Sequence, residues 1–367
     1  MYTHSRRFLL KSLMLFLVTV GITILGVQLL RMWRFRKFIY MTEKQVDAKS
    51  GMTERDRLVL EFYKRNKNNE EMKSLPDIIG IGAEKCGTGW LQFALQHHPM
   101  IKVGLNEVHF FNNGDYFKGM KFYRSKLPNT TKNELCMEKT PGYFNFGAPE
   151  TPARIKSQLP NVKLWLVLCN PTLRTFSDFV HETALGSIKF RGSFDNYVNK
   201  FVREARIKFS KTDEDNFETI SDAWHRRMGD SHILTRGIYY HSLKRWLRYF
   251  SSDQLFVVSG EELQYNSGAV VEKLQDFLGI PRMILPEDFV KNPDTGLYCI
   301  RPTVVADSKV KYAPMNCYTA TAHGRAKGRT RSNSTSFVPN PNSLKILDTF
   351  FKPYNDMLFE FIGRKLW

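Results

Sequence analysis

From Ile78 to Pro99 the chain reads IIGIGAEKCGTGWLQFALQHHP. A short apolar run leads into glycines around a lone lysine, and Trp90, Leu91, Ala94 and Leu95 then recur at helical spacing until Pro99. A glycine-bearing turn that opens a helix offers backbone N–H groups to an anion, and Lys85 adds a full positive charge. The chemistry on offer is the binding of a phosphate-type group. Neither common nucleotide pattern accounts for it. In the Walker A loop the lysine directly follows the last glycine and directly precedes Ser or Thr, whereas Lys85 comes before Gly87 and Thr88. In the dinucleotide fingerprint a third glycine would stand where Lys85 stands, after Gly80 and Gly82. Taken alone, the stretch is better read as an ordinary βα turn with a surface lysine.

The elements that must position this loop are legible as an α/β pattern. Strand-like runs occur at DIIGIG, NELCME, VKLWLVLC and QLFVVSG, with helical patterns such as YYHSLKRWLRYF and AVVEKLQDFLG between and after them. The run 162–169 is almost wholly apolar, as expected of a strand buried on both faces of a parallel sheet. Ligands of such sheets sit beyond the carboxyl ends of the strands. The residues just past the runs are Glu84 and Lys85, Lys139 and Thr140, and 170–174, nearly all polar or cationic, which predicts a shared anion site. No internal repeat is visible. The 367 residues, 42% of them hydrophobic, suffice for one main domain with accessories and exclude global disorder. A net charge of +18 and a pI near 9.6 mean attraction to polyanions, whether nucleic acid, anionic lipid or acidic glycan.

Residues 12–30, SLMLFLVTVGITILGVQLL, carry no charge and are long enough to cross a bilayer. They are expected to form a transmembrane signal anchor after a cytoplasmic tail at 1–11. The rival, a cleaved signal peptide, would have a shorter apolar core and a small-residue cleavage site, where RMWRFRK follows instead. Basic residues flank both sides, so the positive-inside rule leaves orientation open. Residues 31–75 are polar and charged and read as a stem or partly helical linker, with the main domain at 76–367. The sequons at Asn129 and Asn333 would accept glycans if the domain is translocated. Cys299 and Cys317 lie in an irregular, proline-bearing segment, where a bridge would add about 3 kcal/mol in the chain-entropy model; the alternative is two free thiols. Cys86, Cys136 and Cys169 lie in or beside apolar runs and read as small buried residues, and no His/Cys grouping has zinc spacing.

Six motifs occur in a telling order: the Lys85 loop, NEVHFF at 106–111, EKTPGYF at 138–144, NPTLRTFSDF at 170–179, GIYYHSLKRWLRYF at 237–250 and KGRT at 327–330. In this order the chain resembles the heparan sulfate sulfotransferases from about Pro76 onwards, and is most similar to the glucosamine 3-O-sulfotransferases. The resemblance implies a P-loop-like sulfotransferase fold with a central parallel sheet flanked by helices. It also implies the donor 3′-phosphoadenosine 5′-phosphosulfate (PAPS), heparan sulfate or a related acidic glycan as acceptor, and a single-pass type II Golgi membrane enzyme with a lumenal catalytic domain. Neither a metal nor a nucleic-acid partner is expected. Because the donor carries a phosphosulfate, Lys85, Cys86, Gly87, Thr88 and Gly89 with the helix N-terminus are expected to bind its oxygens, and Lys85 to neutralise the bridging oxygen. By analogy with phosphoryl transfer, positioning and charge stabilisation outweigh covalent chemistry. Glu107 matches the family's catalytic base, and His109, two residues on, shares its face of an extended segment. Lys139 matches a lysine that helps bind substrate and stabilise the transferring group. Ser177 matches a serine on the donor's 3′-phosphate, and Lys327, Gly328, Arg329 and Thr330 match a phosphate-binding loop. In isolation, Glu107 would be a solvated or paired surface residue and HGRAKGRTR a basic solvated stretch.

The chain departs from that pattern at the donor and acceptor sites. Cys169 stands where many 3-O-sulfotransferases have an arginine on the 3′-phosphate, a contact worth about 1.5–3 kcal/mol; Arg174 is expected to compensate. Gly89 replaces a substrate-contacting arginine, and Asn112 and His181 replace Asp and Gln of the acceptor cleft. The leading expectation is sulfuryl transfer to the 3-OH of glucosamine residues in heparan sulfate. An N-sulfotransferase, favoured by FFNNGDYFKG and CNP, and a membrane-anchored heparan-binding pseudoenzyme are the alternatives.

Overall fold

The computed structural model describes residues 52–104, 106–145, 149–209, 229–292, 298–306, 309–312, 315–317 and 339–367. Its centre is a five-stranded sheet of β1 (Ile78–Gly82), β2 (Ile101–Val103), β3 (Leu135–Lys139), β4 (Lys163–Leu168) and β5 (Leu255–Ser259), in spatial order β2-β3-β1-β4-β5. Every neighbouring pair is parallel. Leu164 to Leu168 are all fully buried, which is why that run shows no alternation. Where β1 pairs with β4, Gly80 faces Trp165; a Cβ at Gly80 would lie 2.2 Å from the indole, so only glycine fits. The four strand-like runs read from the sequence are all strands of this sheet. The three-residue edge strand β2 was too short to show a period.

Helices cover the sheet. They include α1 (Glu54–Asn66), α2 (Thr88–Leu95), α3 (Pro171–Leu185), α4 (Phe194–Phe209), α5 (Tyr239–Trp246), α6 (Gly260–Tyr265), α7 (Ser267–Leu278) and α8 (Pro341–Ile362). Asn170 starts α3 by accepting hydrogen bonds from the N–H groups of Thr172 and Leu173, with Pro171 in the first turn, where no N–H is needed. A second apolar cluster, including Phe176, Phe179, Phe194, Phe201, Phe350 and Phe351, joins α3, α4 and α8 beside the sheet and gives α3 a rigid base. Cys299 and Cys317 face each other across an antiparallel pair of short strands and form a disulfide.

One expectation is filled in and one is corrected. The second half of the 31–75 stem contains α1, whose Val59, Leu60 and Phe62 are buried and whose Arg55 reaches Asp288 at 2.7 Å, so this helix packs onto the domain. Its apolar stripe was hidden in a polar average composition. Cys86 and Cys169 are not isolated buried thiols: they form a disulfide across 83 residues of sequence, because each lies just beyond the carboxyl end of neighbouring strands. Cys136 is the free, buried cysteine, its thiol pushed up to about 12 by burial. The expected membrane anchor at 12–30 lies outside the described residues, among which no helix is long and apolar enough to cross a membrane.

Candidate active site

The donor-type loop leaves β1 at the carboxyl edge of the sheet. Lys85 (φ 67°) and Gly87 (φ 96°) both lie in the left-handed region, which turns the chain back into α2. Glycine takes this conformation freely, whereas a residue with a Cβ is disfavoured by about 1–2 kcal/mol. Among the described residues Lys85 and His109 are the two non-glycine residues with positive φ, and sequence reasoning had singled out both for chemistry. No side chain caps α2, so its first N–H groups face the loop. Around the loop, the Cys86–Cys169 bridge packs on Gly260, where a Cβ would lie 2.7 Å from that of Cys169, and Cys86 Sγ is 3.4 Å from the Tyr239 hydroxyl.

The segment 106–112 lies beside the end of β3. Lys139 Nζ donates to Glu107 Oε1 at 2.5 Å, and His109 Nε2 is 3.6 Å from Glu107 Oε2, so one carboxylate is held between two cationic-type groups. Lys139 is 2% exposed, Glu107 25% and His109 40%, which leaves the latter two open to a hydroxyl while the lysine works from behind. The hydrogen bond that His109 donates to Glu107 raises the His109 pKa above its usual value, outweighing burial. Asn112 Nδ2 is 3.4 Å from His109 Nδ1, and Gly142 leaves room for both, since a Cβ there would lie 3.0 Å from the imidazole.

A relay beneath this segment was missed by the sequence reading. Thr140 Oγ1 accepts from the Val108 N–H at 3.1 Å and the His109 N–H at 3.4 Å, and donates to Glu138 Oε1 at 2.6 Å. The Tyr123 hydroxyl donates to the other Glu138 oxygen. Glu138 is fully buried, and burial raises its pKa against the pull of these hydrogen bonds. The signal was present in EKTP: strand alternation that turns Lys139 towards the cleft turns Glu138 into the core.

Other expected residues scatter. Arg174, expected at the donor, has a wholly buried side chain bonded to Asp178 at 3.0 Å and to the Ile233 carbonyl. The i, i+4 spacing of Arg174 and Asp178 sets them on the inner stripe of α3, whereas Ser177 and His181 share another stripe and are half-buried. Gly89 and Thr88 lie in the first turn of α2. Asn129 is exposed on a two-residue strand. Lys327, Gly328, Arg329, Thr330 and Asn333 lie outside the described residues. Sequence reasoning also missed Arg236. Its guanidinium reaches Glu84 at 2.5 Å, Asp178 at 3.2 Å and Glu182 at 3.3 Å, filling a cluster of three carboxylates. Burial pushes Asp178 up, but Arg236 and Arg174 outweigh it and bring its pKa down to about 2.

A parallel α/β sheet with a lysine-bearing anion loop on one strand and a carboxylate–lysine–histidine group on the next defines a group-transfer protein of the nucleotide-binding type. A family model described as a sulfotransferase domain matches residues 75–293, and the chain belongs to that family. It is 30% identical over 292 residues to mouse heparan sulfate glucosamine 3-O-sulfotransferase 3B1, an alignment covering 80% of this chain and 64% of the relative. To human heparan sulfate glucosamine 3-O-sulfotransferase 5 it is 28% identical over 318 residues, covering 84% and 80%. The chain thus spans just under two thirds of the first of these relatives. A sulfotransferase from Alicyclobacillus acidocaldarius has the same fold, with a TM-score of 0.52 at 22% identity over 80% of this chain and 98% of that one.

Proposed function

We propose that the protein transfers a sulfuryl group from PAPS to the 3-OH of glucosamine residues in heparan sulfate, as a type II Golgi membrane enzyme with its catalytic domain in the lumen. The observation that carries the reading is Glu107 held between Lys139 and His109 at the end of the strand that pairs with the one leading into the Lys85 loop. The 3-O-sulfotransferase relatives support the acceptor, the net charge of +18 suits a polyanionic glycan, and two disulfides suit an oxidising lumen.

The residues present fit the donor in part. The uncapped start of α2 and the left-handed turn at Lys85 and Gly87 suit a phosphosulfate, and Ser177 is half-buried on α3, on a different stripe from Arg174. The donor supplies an activated sulfuryl group. With PAPS bound, Glu107 would take the proton of the attacking glucosamine hydroxyl, and Lys85 would offer its charge to the phosphate that leaves with the nucleotide. Lys139 fixes the Glu107 carboxylate, and its charge also favours the crowded sulfuryl oxygens of the transition state. His109 gives Glu107 a second, reversible partner on the open side.

One observation favours a second reading, a heparan-binding protein without turnover: neither Cys169, which is bridged, nor Arg174, which is buried, offers charge to a 3′-phosphate. Incubation of the purified protein with radiolabelled PAPS and heparan sulfate, followed by disaccharide analysis, separates these. Label on the glucosamine 3-O position is the expected result; label on nitrogen indicates N-sulfotransfer, and glycan binding without label indicates the second reading.

A further inference from the structure

Lys85 stands between two anchored neighbours. Cys86 is bonded through its sulfur to Cys169 at the end of β4 and is buried. Glu84 Oε2 is 2.5 Å from Arg236, which also reaches Asp178 and Glu182 on α3, while Glu84 Oε1 accepts from Asn145 Nδ2 at 3.2 Å. One anchor therefore ties the loop to the sheet and the other ties it to the helix that carries Ser177. The residue between them is the one held at φ 67°.

We infer that Lys85 is a clamped lysine: the Cys86–Cys169 bridge and the Glu84–Arg236 pair are positioning groups that keep the loop in its left-handed, donor-competent conformation. This rests on the donor reading above. A residue with a Cβ disfavours that conformation by roughly tenfold. A loop released from its clamp adopts it about one time in ten, and the apparent dissociation constant rises by the inverse of that fraction, about tenfold. Gly260 supports the clamp, because a Cβ at the start of α6 would fall 2.7 Å from the Cβ of Cys169 and 3.2 Å from the Cys86 carbonyl.

The test is isothermal titration of the full chain with 3′-phosphoadenosine 5′-phosphate, whose 5′-phosphate faces Lys85 in this reading. Cys86→Ser/Cys169→Ser is expected to raise the dissociation constant about tenfold. In a Lys85→Gly background the same pair of changes is expected to add less than about threefold, since glycine takes the left-handed conformation without the clamp. A bridge that only stabilises the fold would lower the thermal midpoint in both backgrounds and leave the affinity of the folded protein unchanged, which overturns the inference; so does an equal loss of affinity in both backgrounds. If the serine pair does not fold, Cys86→Ala/Cys169→Val replaces it, and Glu84→Gln tests the other anchor, with weaker nucleotide binding expected. Unmodified protein that binds no nucleotide overturns the donor reading and the clamp together, whereas binding indifferent to the bridge overturns the clamp alone.

Discussion

Replacing Thr140 by valine keeps the shape of the side chain and removes one hydroxyl. That hydroxyl makes a 3.1 Å bond from the Val108 N–H, a longer 3.4 Å bond from the His109 N–H, and a 2.6 Å bond to the buried Glu138 carboxylate. A neutral hydrogen bond contributes about 1 kcal/mol and one to a charged group about 1.5–3 kcal/mol, so the loss is about 2.5–4 kcal/mol with the long bond discounted. At about 2–4 °C per kcal/mol for a domain of this size, the thermal midpoint should fall by roughly 10 °C. Turnover should suffer more than donor binding. The two amides pin the backbone that carries Glu107 and His109, and a displacement of about 1 Å at a reacting group costs roughly 10²-fold. Sulfate transfer at saturating donor, measured below the new midpoint, should therefore drop by roughly one to two decades with the nucleotide dissociation constant unchanged. Thr140→Ser, which keeps the oxygen, should recover most of it. A folded Thr140→Val protein with turnover within about threefold of the parent, or a serine variant as impaired as the valine one, would refute the positioning argument.

Glu107→Gln keeps the shape but accepts no proton at neutral pH, so turnover should fall by roughly two to four decades while nucleotide affinity persists; a collapse of affinity instead would make Glu107 structural. Arg174→Leu removes one member of a buried pair with Asp178 and should cost about 3–5 kcal/mol in denaturant unfolding, without weakening nucleotide binding by the folded fraction. Weaker binding at an unchanged unfolding midpoint would return Arg174 to the donor site. His109 should titrate above 6.5 by NMR and move down in Glu107→Gln, because the Glu107 hydrogen bond is the main cause of its upward shift. Its folded value is raised, so the stabilisation from this pair is complete below pH 6.5 and is lost as pH rises through the higher value. Asp178 has the opposite sign: lowered from 3.8 to about 2, it contributes stability above pH 3.8 that disappears as pH falls towards 2, and Asp178→Asn should blunt that acid transition.

The order of strands and helices was legible because each is written in a local period. Val162 to Cys169 announced a strand buried on both faces, and the glycines flanking Lys85 announced a turn into a helix. Glu107, His109 and Lys139 were also within reach, since motif order sets which loops follow which strands, and parallel strands bring those loops to one edge. What the sequence left open was the partner of each buried group. Arg174 reads as a cation available to an anion, yet it is spent on Asp178 inside the domain, and Cys169 reads as a lost charge, yet it is half of a bridge to the Lys85 loop. Glu84 and Arg236 are 152 positions apart and meet only because the loop after β1 lies against the turn before α5. Local propensity fixes whether a segment is strand, turn or helix. The pairing of groups distant in sequence is decided by how those segments pack, since a charge taken out of water must find a counter-charge wherever the packing places one.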